Sequence, residues 1–119
     1  MTLTSSIPVL RVSDYPRARG FWRDVLGFRV VQEAGDPVTG FGIYIREHAQ
    51  VFLTAWDGPE AAYTRWRAYF HTDDLADIQA RLSAAGQPFK GPTRTEYGME
   101  EIEAADPDGN VICFGQDIE

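Results

Sequence analysis

The pattern of apolar and polar positions changes period several times along this chain of 119 residues, and the same order of periods occurs twice. In the first half, a short apolar segment typical of a strand (7–12) precedes a segment with helical spacing. The apolar face of that helical segment consists of Ala18, Phe21, Trp22, Val25 and Leu26. Segments with strand spacing follow at 28–33, 41–46 and 50–56. The first half is therefore predicted to fold as a strand, a helix and a three-stranded meander.

The second half repeats this order after a connector that begins at Asp57-Gly58-Pro59. A strand pattern at 66–72 precedes a helical segment, whose apolar positions are Leu75, Ile78, Leu82 and Ala85. Further strands are predicted at 88–92, 99–104 and 110–115. We therefore predict two modules of the same type, at about 7–56 and 66–116, joined by a connector at 57–65 within a single domain of 119 residues.

Matching cap residues mark both predicted helices. Asp14 and Asp74 precede the helical segments and offer a carboxylate to the free N–H groups of the first turn. Gly27 and Gly86 follow the segments and suit a left-handed cap. Asp74 lies 60 positions after Asp14, whereas Gly86 lies 59 positions after Gly27, so the second helix is one residue shorter. This spacing indicates an internal duplication.

Net charge and cysteine content narrow the possible partners and compartment. The formal charge of -7 opposes binding to nucleic acid or to an anionic membrane. It either attracts a cationic ligand or serves solubility alone. Cys113 is the single cysteine, which excludes an intramolecular disulfide and a cysteine-rich zinc site. Residues 1–6 lack the pattern of an export signal. We expect a cytoplasmic protein without nucleic-acid or membrane partners.

Five short motifs, taken in order, resemble those of the vicinal oxygen chelate superfamily, which holds glyoxalase I, extradiol dioxygenases and the bleomycin resistance proteins. The motifs are Val12-Ser13-Asp14, the segment 21–28, Asp73-Asp74-Leu75, Tyr97-Gly98-Met99 and the segment 106–110. The resemblance runs from about Ile7 to Gln116. It implies an α+β fold in which two tandem βαβββ modules form a curled, cup-like mixed sheet.

Enzymes of this superfamily hold a divalent metal through four residues, one on each of four strands. The resemblance places these positions at Ile7, Phe52, Arg67 and Cys113. Isoleucine and phenylalanine have no donor atom, and a guanidinium cation repels a metal ion. A single thiolate does not make a metal site. We therefore expect no metal, no other cofactor and no catalytic residue.

The chain most resembles the bleomycin resistance proteins, which are acidic dimers that bind a cationic antibiotic between their subunits without chemistry. Aromatic rings of these proteins stack on the flat part of the drug, and the matching positions here are Phe41 and Tyr97. The resemblance thus implies a homodimer that binds a small aromatic or cationic ligand.

Strand alternation places further side chains on the same side of the sheet as these positions. The expected ligand-binding residues are Phe41, Phe52, Trp56, Arg67, Tyr69, Tyr97, Met99 and Cys113. Such a set forms an apolar pocket with few polar groups, which suits a planar organic ligand. The other interpretation of the aromatic residues is that they fill the core.

Several of these residues have a second interpretation. Arg67 either contacts the ligand or forms a structural ion pair with Glu100 or Glu101. Cys113 is either a reactive thiol or an inert core residue. His48 is most simply a solvated turn residue, and His71 is most simply a residue at the end of a strand. Acidic residues are concentrated around the last predicted strands: Glu96, Glu100, Glu101, Glu103, Asp106 and Asp108. They either form a solvated edge of the sheet or flank the ligand cleft.

Two classes of function are consistent with these features. The first is a metal-free binding protein that sequesters a planar, cationic aromatic ligand or antibiotic and thereby confers resistance. The second is a lyase, isomerase or dioxygenase of the glyoxalase and dioxygenase type with a non-standard site. A third, ligand-sensing role is also open. The missing metal ligands favour the first.

Overall fold

The computed structural model describes residues 5–35, 40–55 and 66–118, which form two four-stranded sheets and two helical segments. The first half contains β1 (Val9–Val12), α1 (Tyr15–Arg19, continued by a π-helical stretch at Gly20–Val25), β2 (Arg29–Ala34), β3 (Phe41–Arg46) and β4 (Ala49–Ala55). The second half contains β5 (Ala68–His71), α2 (Leu75–Ala84), β6 (Lys90–Arg94), β7 (Met99–Ala105) and β8 (Val111–Asp117). The predicted connector at 57–65 lies outside the described residues.

Each half forms its own sheet, and the two sheets have the same topology. The strand orders are β1-β4-β3-β2 and β5-β8-β7-β6. In each sheet the first strand pairs in parallel with the last, and the other pairings are antiparallel. The predicted α+β fold with two βαβββ repeats and mixed sheets is confirmed. Strand limits differ from the prediction by up to two residues, so Ile7 and Arg67 precede β1 and β5.

Both predicted helix caps are present. The carboxylates of Asp14 and Asp74 accept hydrogen bonds from the backbone N–H of Arg17 and of Asp77, each at 3.1 Å. Gly27 and Gly86 have positive φ angles of 79° and 68°, which glycine adopts without strain. Local sequence therefore determines where each helix begins and ends.

The first helical segment differs from the regular helix that its spacing predicts. From Gly20 to Val25 it is π-helical, and the N–H of Leu26 donates to the carbonyl of Phe21 at 3.0 Å. A π-helical turn accommodates one residue more than an α-helical turn of the same length. This explains why Gly27 follows Asp14 by one position more than Gly86 follows Asp74.

Both helical segments and one face of each sheet share a common apolar core. Trp22 lies between the halves, with ring centroids 5.2 Å from Phe28 and 6.2 Å from Phe70. The core also contains Leu10, Tyr44, Val51, Leu53, Leu75, Ile78, Leu82, Ile102, Ile112 and Phe114. Because strand side chains alternate, the intervening residues of each sheet point away from this core. Each sheet therefore has one face that the core does not cover.

Polar contacts also join the two halves. The turn between β7 and β8 packs on the first helical segment, where Trp22 Nε1 donates to Asp106 Oδ2 at 3.4 Å. The side-chain amide of Asn110 donates to the carbonyl of Arg11 at 2.9 Å. On another side, Arg46 at the end of β3 donates to Asp77 of α2 at 2.6 Å. Among the described residues, no helix is both long and apolar enough to cross a membrane.

Candidate functional site

The uncovered face of the first sheet carries a pair of phenylalanine rings. Phe41 on β3 and Phe52 on β4 contact each other edge to face, with ring centroids 5.1 Å apart. Phe52 pairs with Val9 on one side and Ile43 on the other, and Val9 is 52% exposed. The structure therefore brings together two of the predicted ligand-binding residues, Phe41 and Phe52, on a face with solvent access.

The uncovered face of the second sheet carries a carboxylate held by two tyrosines. Tyr69 on β5 donates its hydroxyl to Glu101 Oε2 at 2.8 Å, and Tyr97 donates to the same oxygen at 2.7 Å. Glu101 is buried, whereas Tyr97 is 63% exposed. Burial and its hydrogen bond to Glu101 raise the pKa of Tyr69. The pKa of Tyr97 is also raised, mainly by the hydrogen bond that Tyr97 itself donates to Glu101. Both phenols therefore remain neutral donors at physiological pH.

A second carboxylate on this face holds the indole of Trp66. Trp66 Nε1 donates to Glu103 Oε1 at 2.6 Å, although the Trp66 side chain remains largely accessible, with the residue 43% exposed. Its ring lies 5.2 Å from that of Tyr69, which in turn lies 5.1 Å from the ring of His71. We call Trp66, Tyr69, Tyr97, Glu101 and Glu103 the aromatic-acidic face.

A cleft of about 1370 Å³ lies between the two halves, beside β5. Arg67, Tyr69 and His71 line it from the second half, and Ile7 and Gln50 line it from the first. Acidic side chains surround it, and they are Glu47, Asp73, Asp74, Asp77 and Asp117. Because Tyr69 belongs both to this cleft and to the aromatic-acidic face, the two regions adjoin.

The chemistry of the four superfamily metal positions does not fit a divalent cation. Ile7 and Phe52 offer no donor atom, and Arg67 carries a positive charge. Burial, with Glu101 and Glu103 nearby, raises the pKa of the Cys113 thiol to about 12, so the thiol stays protonated at neutral pH. Within residues 5–35, 40–55 and 66–118, no three His, Cys, Asp or Glu side chains form a group that holds a metal ion.

The structure separates the predicted site residues into two groups. Phe41 and Phe52 lie on the first sheet, whereas Tyr69, Met99 and Cys113 lie on the second. Arg67 and Tyr97 immediately precede strands of the second sheet. Met99 alternates with Glu101 along β7, so it lies on the aromatic-acidic side of the sheet. Trp56 lies outside the described residues. Whether these residues contact a ligand stays a prediction.

The structure bears on the alternative interpretations of Arg67, Cys113 and His48. Glu100 lies 3.7 Å from Arg94, and Glu101 accepts the two tyrosine hydroxyls, while the role of Arg67 stays a prediction. Cys113 is fully buried with a raised pKa, which favours an inert thiol. His48 is exposed in the turn between β3 and β4, as expected for a solvated residue.

Three residues of the aromatic-acidic face were not among the predicted ligand-binding residues: Trp66, Glu101 and Glu103. The two glutamates could have been found from the alternation of Met99, Glu101 and Glu103 along one strand, which places both acidic side chains on the face of Tyr69. Trp66 precedes β5, and its position follows from the hydrogen bond to Glu103 rather than from a strand period.

Comparisons with known proteins agree on one fold. The model of the family described as Glyoxalase/Bleomycin resistance protein/Dioxygenase superfamily matches residues 6–114. A bleomycin resistance determinant encoded on the transposon Tn5 superposes with a TM-score of 0.82 at 21% identity, covering 97% of this chain and 98% of that chain. No protein with a curated description matches the chain by sequence.

Two further solved structures show the range of similar proteins. TnmS3, an antibiotic binding protein from Streptomyces sp. CB03234, is 26% identical with a TM-score of 0.73, covering 98% of this chain and 99% of that chain. A lactoylglutathione lyase from Agrobacterium tumefaciens is 21% identical with a TM-score of 0.73, covering 98% of this chain and 95% of that chain. The same fold thus occurs in a binding protein and in an enzyme.

Proposed function

Because the chain belongs to the glyoxalase/bleomycin resistance protein/dioxygenase superfamily, we propose that it is a metal-free binding protein of the bleomycin resistance type. It sequesters a planar, cationic aromatic ligand or antibiotic in the cytoplasm and performs no chemistry on it. The observation that carries this proposal is the aromatic-acidic face, where Trp66, Tyr69 and Tyr97 surround the carboxylates of Glu101 and Glu103.

Rings and carboxylates on one face suit a flat cation. An aromatic ring gains about 0.5–1.5 kcal/mol from a well-placed aromatic partner beyond the burial of its area. A cation over an aromatic ring gains a similar amount when exposed and more when desolvated. The antibiotic binding described for TnmS3 and the bleomycin resistance described for the Tn5 protein are in line with such a ligand.

The alternative to a binding protein is a lyase, isomerase or dioxygenase, a class of function to which the similarity to a lactoylglutathione lyase points. The shared chemistry of such enzymes depends on a metal ion that polarises substrate oxygens. Ile7, Phe52, Arg67 and the protonated Cys113 do not supply the donors for that ion. The side chains therefore favour binding over catalysis.

We further propose that the protein acts as a homodimer. Each sheet has one face that the core does not cover, and the two faces differ: the first carries Val9, Phe41 and Phe52, and the second is the aromatic-acidic face. If this face of the first sheet in one protomer covers the aromatic-acidic face of its partner, a ligand between them contacts Phe41 and Phe52 on one side and Tyr69 and Tyr97 on the other. A nucleic-acid or membrane partner does not suit the charge of -7.

Calorimetric titration with bleomycin, together with metal analysis of the purified protein, tests this proposal. We expect binding, a melting temperature that rises with bleomycin concentration, and no stoichiometric metal, since a ligand at a hundred times its Kd stabilises the native state by about 2.7 kcal/mol. Phe41→Ala should weaken binding, whereas Val31→Ala, at an exposed position on β2, serves as the control. Stoichiometric Fe, Mn, Ni or Zn with turnover of a glyoxalase or dioxygenase substrate would establish the enzyme instead.

A further inference from the structure

We propose that Glu101 selects the ligand by its positive charge, and that the ligand is a flat ring cation rather than a neutral ring. This inference rests on the proposed binding function and adds the residue that distinguishes a cation from a neutral ring of the same shape. It assigns Glu101, a residue of β7 on the aromatic-acidic face, as the determinant of specificity.

The first argument is the environment of the Glu101 carboxylate. Glu101 is only 7% exposed, so most of its hydration is lost in the folded protein. An ionised carboxylate without water is costly unless hydrogen bonds or an opposite charge compensate it. The hydrogen bonds from Tyr69 and Tyr97 come from uncharged phenols and supply no opposite charge. A cation placed beside these rings therefore gains the interaction that the phenols do not provide.

The second argument is the arrangement of the rings. Tyr69 reaches Glu101 from β5, and Tyr97 reaches the same oxygen from the residues before β7, so the carboxylate lies between two phenol hydroxyls. Trp66 extends the aromatic surface beside Tyr69 and is held by Glu103. Ring faces attract cations, most strongly those of tryptophan and tyrosine. Rings and carboxylate thus favour the same charge on the ligand.

The third argument concerns hydrogen bonds. Glu101 Oε2 already accepts two hydroxyls, and Glu103 Oε1 accepts the indole N–H. A carboxylate oxygen has two acceptor sites, so Glu101 Oε2 has none left for a donor of the ligand. An N-alkylated ring cation needs no acceptor and interacts through its charge and its flat surface. Such a cation therefore probes the charge of Glu101 without relying on a hydrogen bond to it.

Two ring systems of nearly equal shape test the inference by calorimetric titration. The first probe is N-methylacridinium, a flat permanent cation, and the second is acridine, which is uncharged at mildly alkaline pH. With the wild-type protein we expect the cation to bind about tenfold more tightly or better, a difference of about 1.4 kcal/mol. Glu101→Gln keeps an oxygen for the tyrosine hydroxyls and removes the charge, so it should abolish most of this preference.

The matched control is Glu100→Gln. Glu100 is the neighbouring residue on β7, alternates to the opposite face, and changes the net charge by the same amount. We expect it to leave the preference for N-methylacridinium within about twofold, because a change in the field of the whole protein is largely screened by salt. Tyr97→Phe provides a second variant in case Glu101→Gln does not fold. This substitution keeps the aromatic ring and removes one of the two hydroxyls that donate to Glu101 Oε2, so the preference for the cation should persist or grow.

The outcomes separate this inference from the proposed function. Equal affinity for acridine and N-methylacridinium, or an unchanged preference in Glu101→Gln, would overturn the role of Glu101 while leaving a binding protein for flat rings. Loss of the preference in Tyr97→Phe would also contradict it, as would bleomycin binding without any binding of N-methylacridinium. If neither ring nor bleomycin binds the wild-type protein, the proposed function itself fails.

Discussion

The hydroxyl of Tyr69 occupies the space that a side chain at Gly115 would fill. A methyl group at Gly115 would overlap the phenol oxygen and ring carbons of Tyr69. Gly115 lies within β8, beside the strand that carries Tyr69, and it pairs with Glu101 on the other side. The absence of a side chain at Gly115 therefore lets Tyr69 lie across the sheet and reach Glu101.

This relationship predicts that Gly115→Ala destabilises the protein through Tyr69. Forced overpacking of this kind costs about 1–3 kcal/mol, and urea denaturation measures it. In a Tyr69→Ala background the overlap is gone, so the same substitution should cost much less. The difference between the two costs is the coupling energy of the double-mutant cycle. Equal costs in both backgrounds would show that Tyr69 and Gly115 are independent.

Cys113 is predicted to react slowly in the native protein. Burial raises its pKa from 9.0 to about 12, so the fraction of reactive thiolate near neutral pH falls by roughly a thousandfold. Labelling with a chromogenic disulfide reagent should therefore be very slow in buffer and fast in urea. Equal rates in both would contradict the buried position.

The same pKa shift has a consequence for stability at alkaline pH. A thiol with a folded-state pKa above its unfolded value contributes stability that is fully present below pH 9.0 and is lost as pH rises through about 12. The free energy of unfolding should fall over this range in the wild-type protein. The fall should be shallower in Cys113→Ala, and an identical slope in both proteins would argue against the thiol as its source.

Asp106→Asn is predicted to destabilise the contact between the halves, even though burial raises the pKa of Asp106 and disfavours its charge. Its Oδ1 accepts the backbone N–H groups of Asp108 and Asn110, and its Oδ2 accepts the side chains of Asn110 and Trp22. An asparagine amide turns one of these oxygens into a donor that faces other donors. We expect a loss of about 1–3 kcal/mol in urea denaturation.

Asp73→Asn is the control for this prediction, because it removes the same charge from an exposed side chain in the turn before α2. It should change the free energy of unfolding by less than about 0.5 kcal/mol. An Asp106→Asn protein as stable as the wild type would mean that relief of the buried charge outweighs the mismatched hydrogen bonds.

The fold was predictable from sequence because its determinants are local. Asp14 and Gly27 act within one or two helical turns, and β3 was placed correctly at Phe41–Arg46 by its period alone. The π-helical stretch at Gly20–Val25 was not predicted, although the extra residue between Asp14 and Gly27 is consistent with it.

The candidate site was predictable only in part. Strand alternation indicates which residues of one strand share a face, so Tyr69 was assigned to the face of Arg67 without the structure. The convergence of Tyr69 and Tyr97 on Glu101 depends on the register of β5, β8 and β7, which hydrogen bonding between distant segments determines. The separation of Phe41 from Tyr69 likewise follows from how both helices pack into a common core, a tertiary property without a local signal.

The turn between β7 and β8 also has a consequence for biosynthesis. Ser13 hydrogen-bonds to Asp108 and Arg11 to Asn110, pairs that lie 95 and 99 positions apart. A ribosome must therefore add at least 95 further residues before the corner between β1 and α1 gains these partners. Contacts of such long range slow folding, because the intervening loop must close first. A nascent chain that stops before Asp108 thus lacks the hydrogen-bond partners of Arg11 and Ser13.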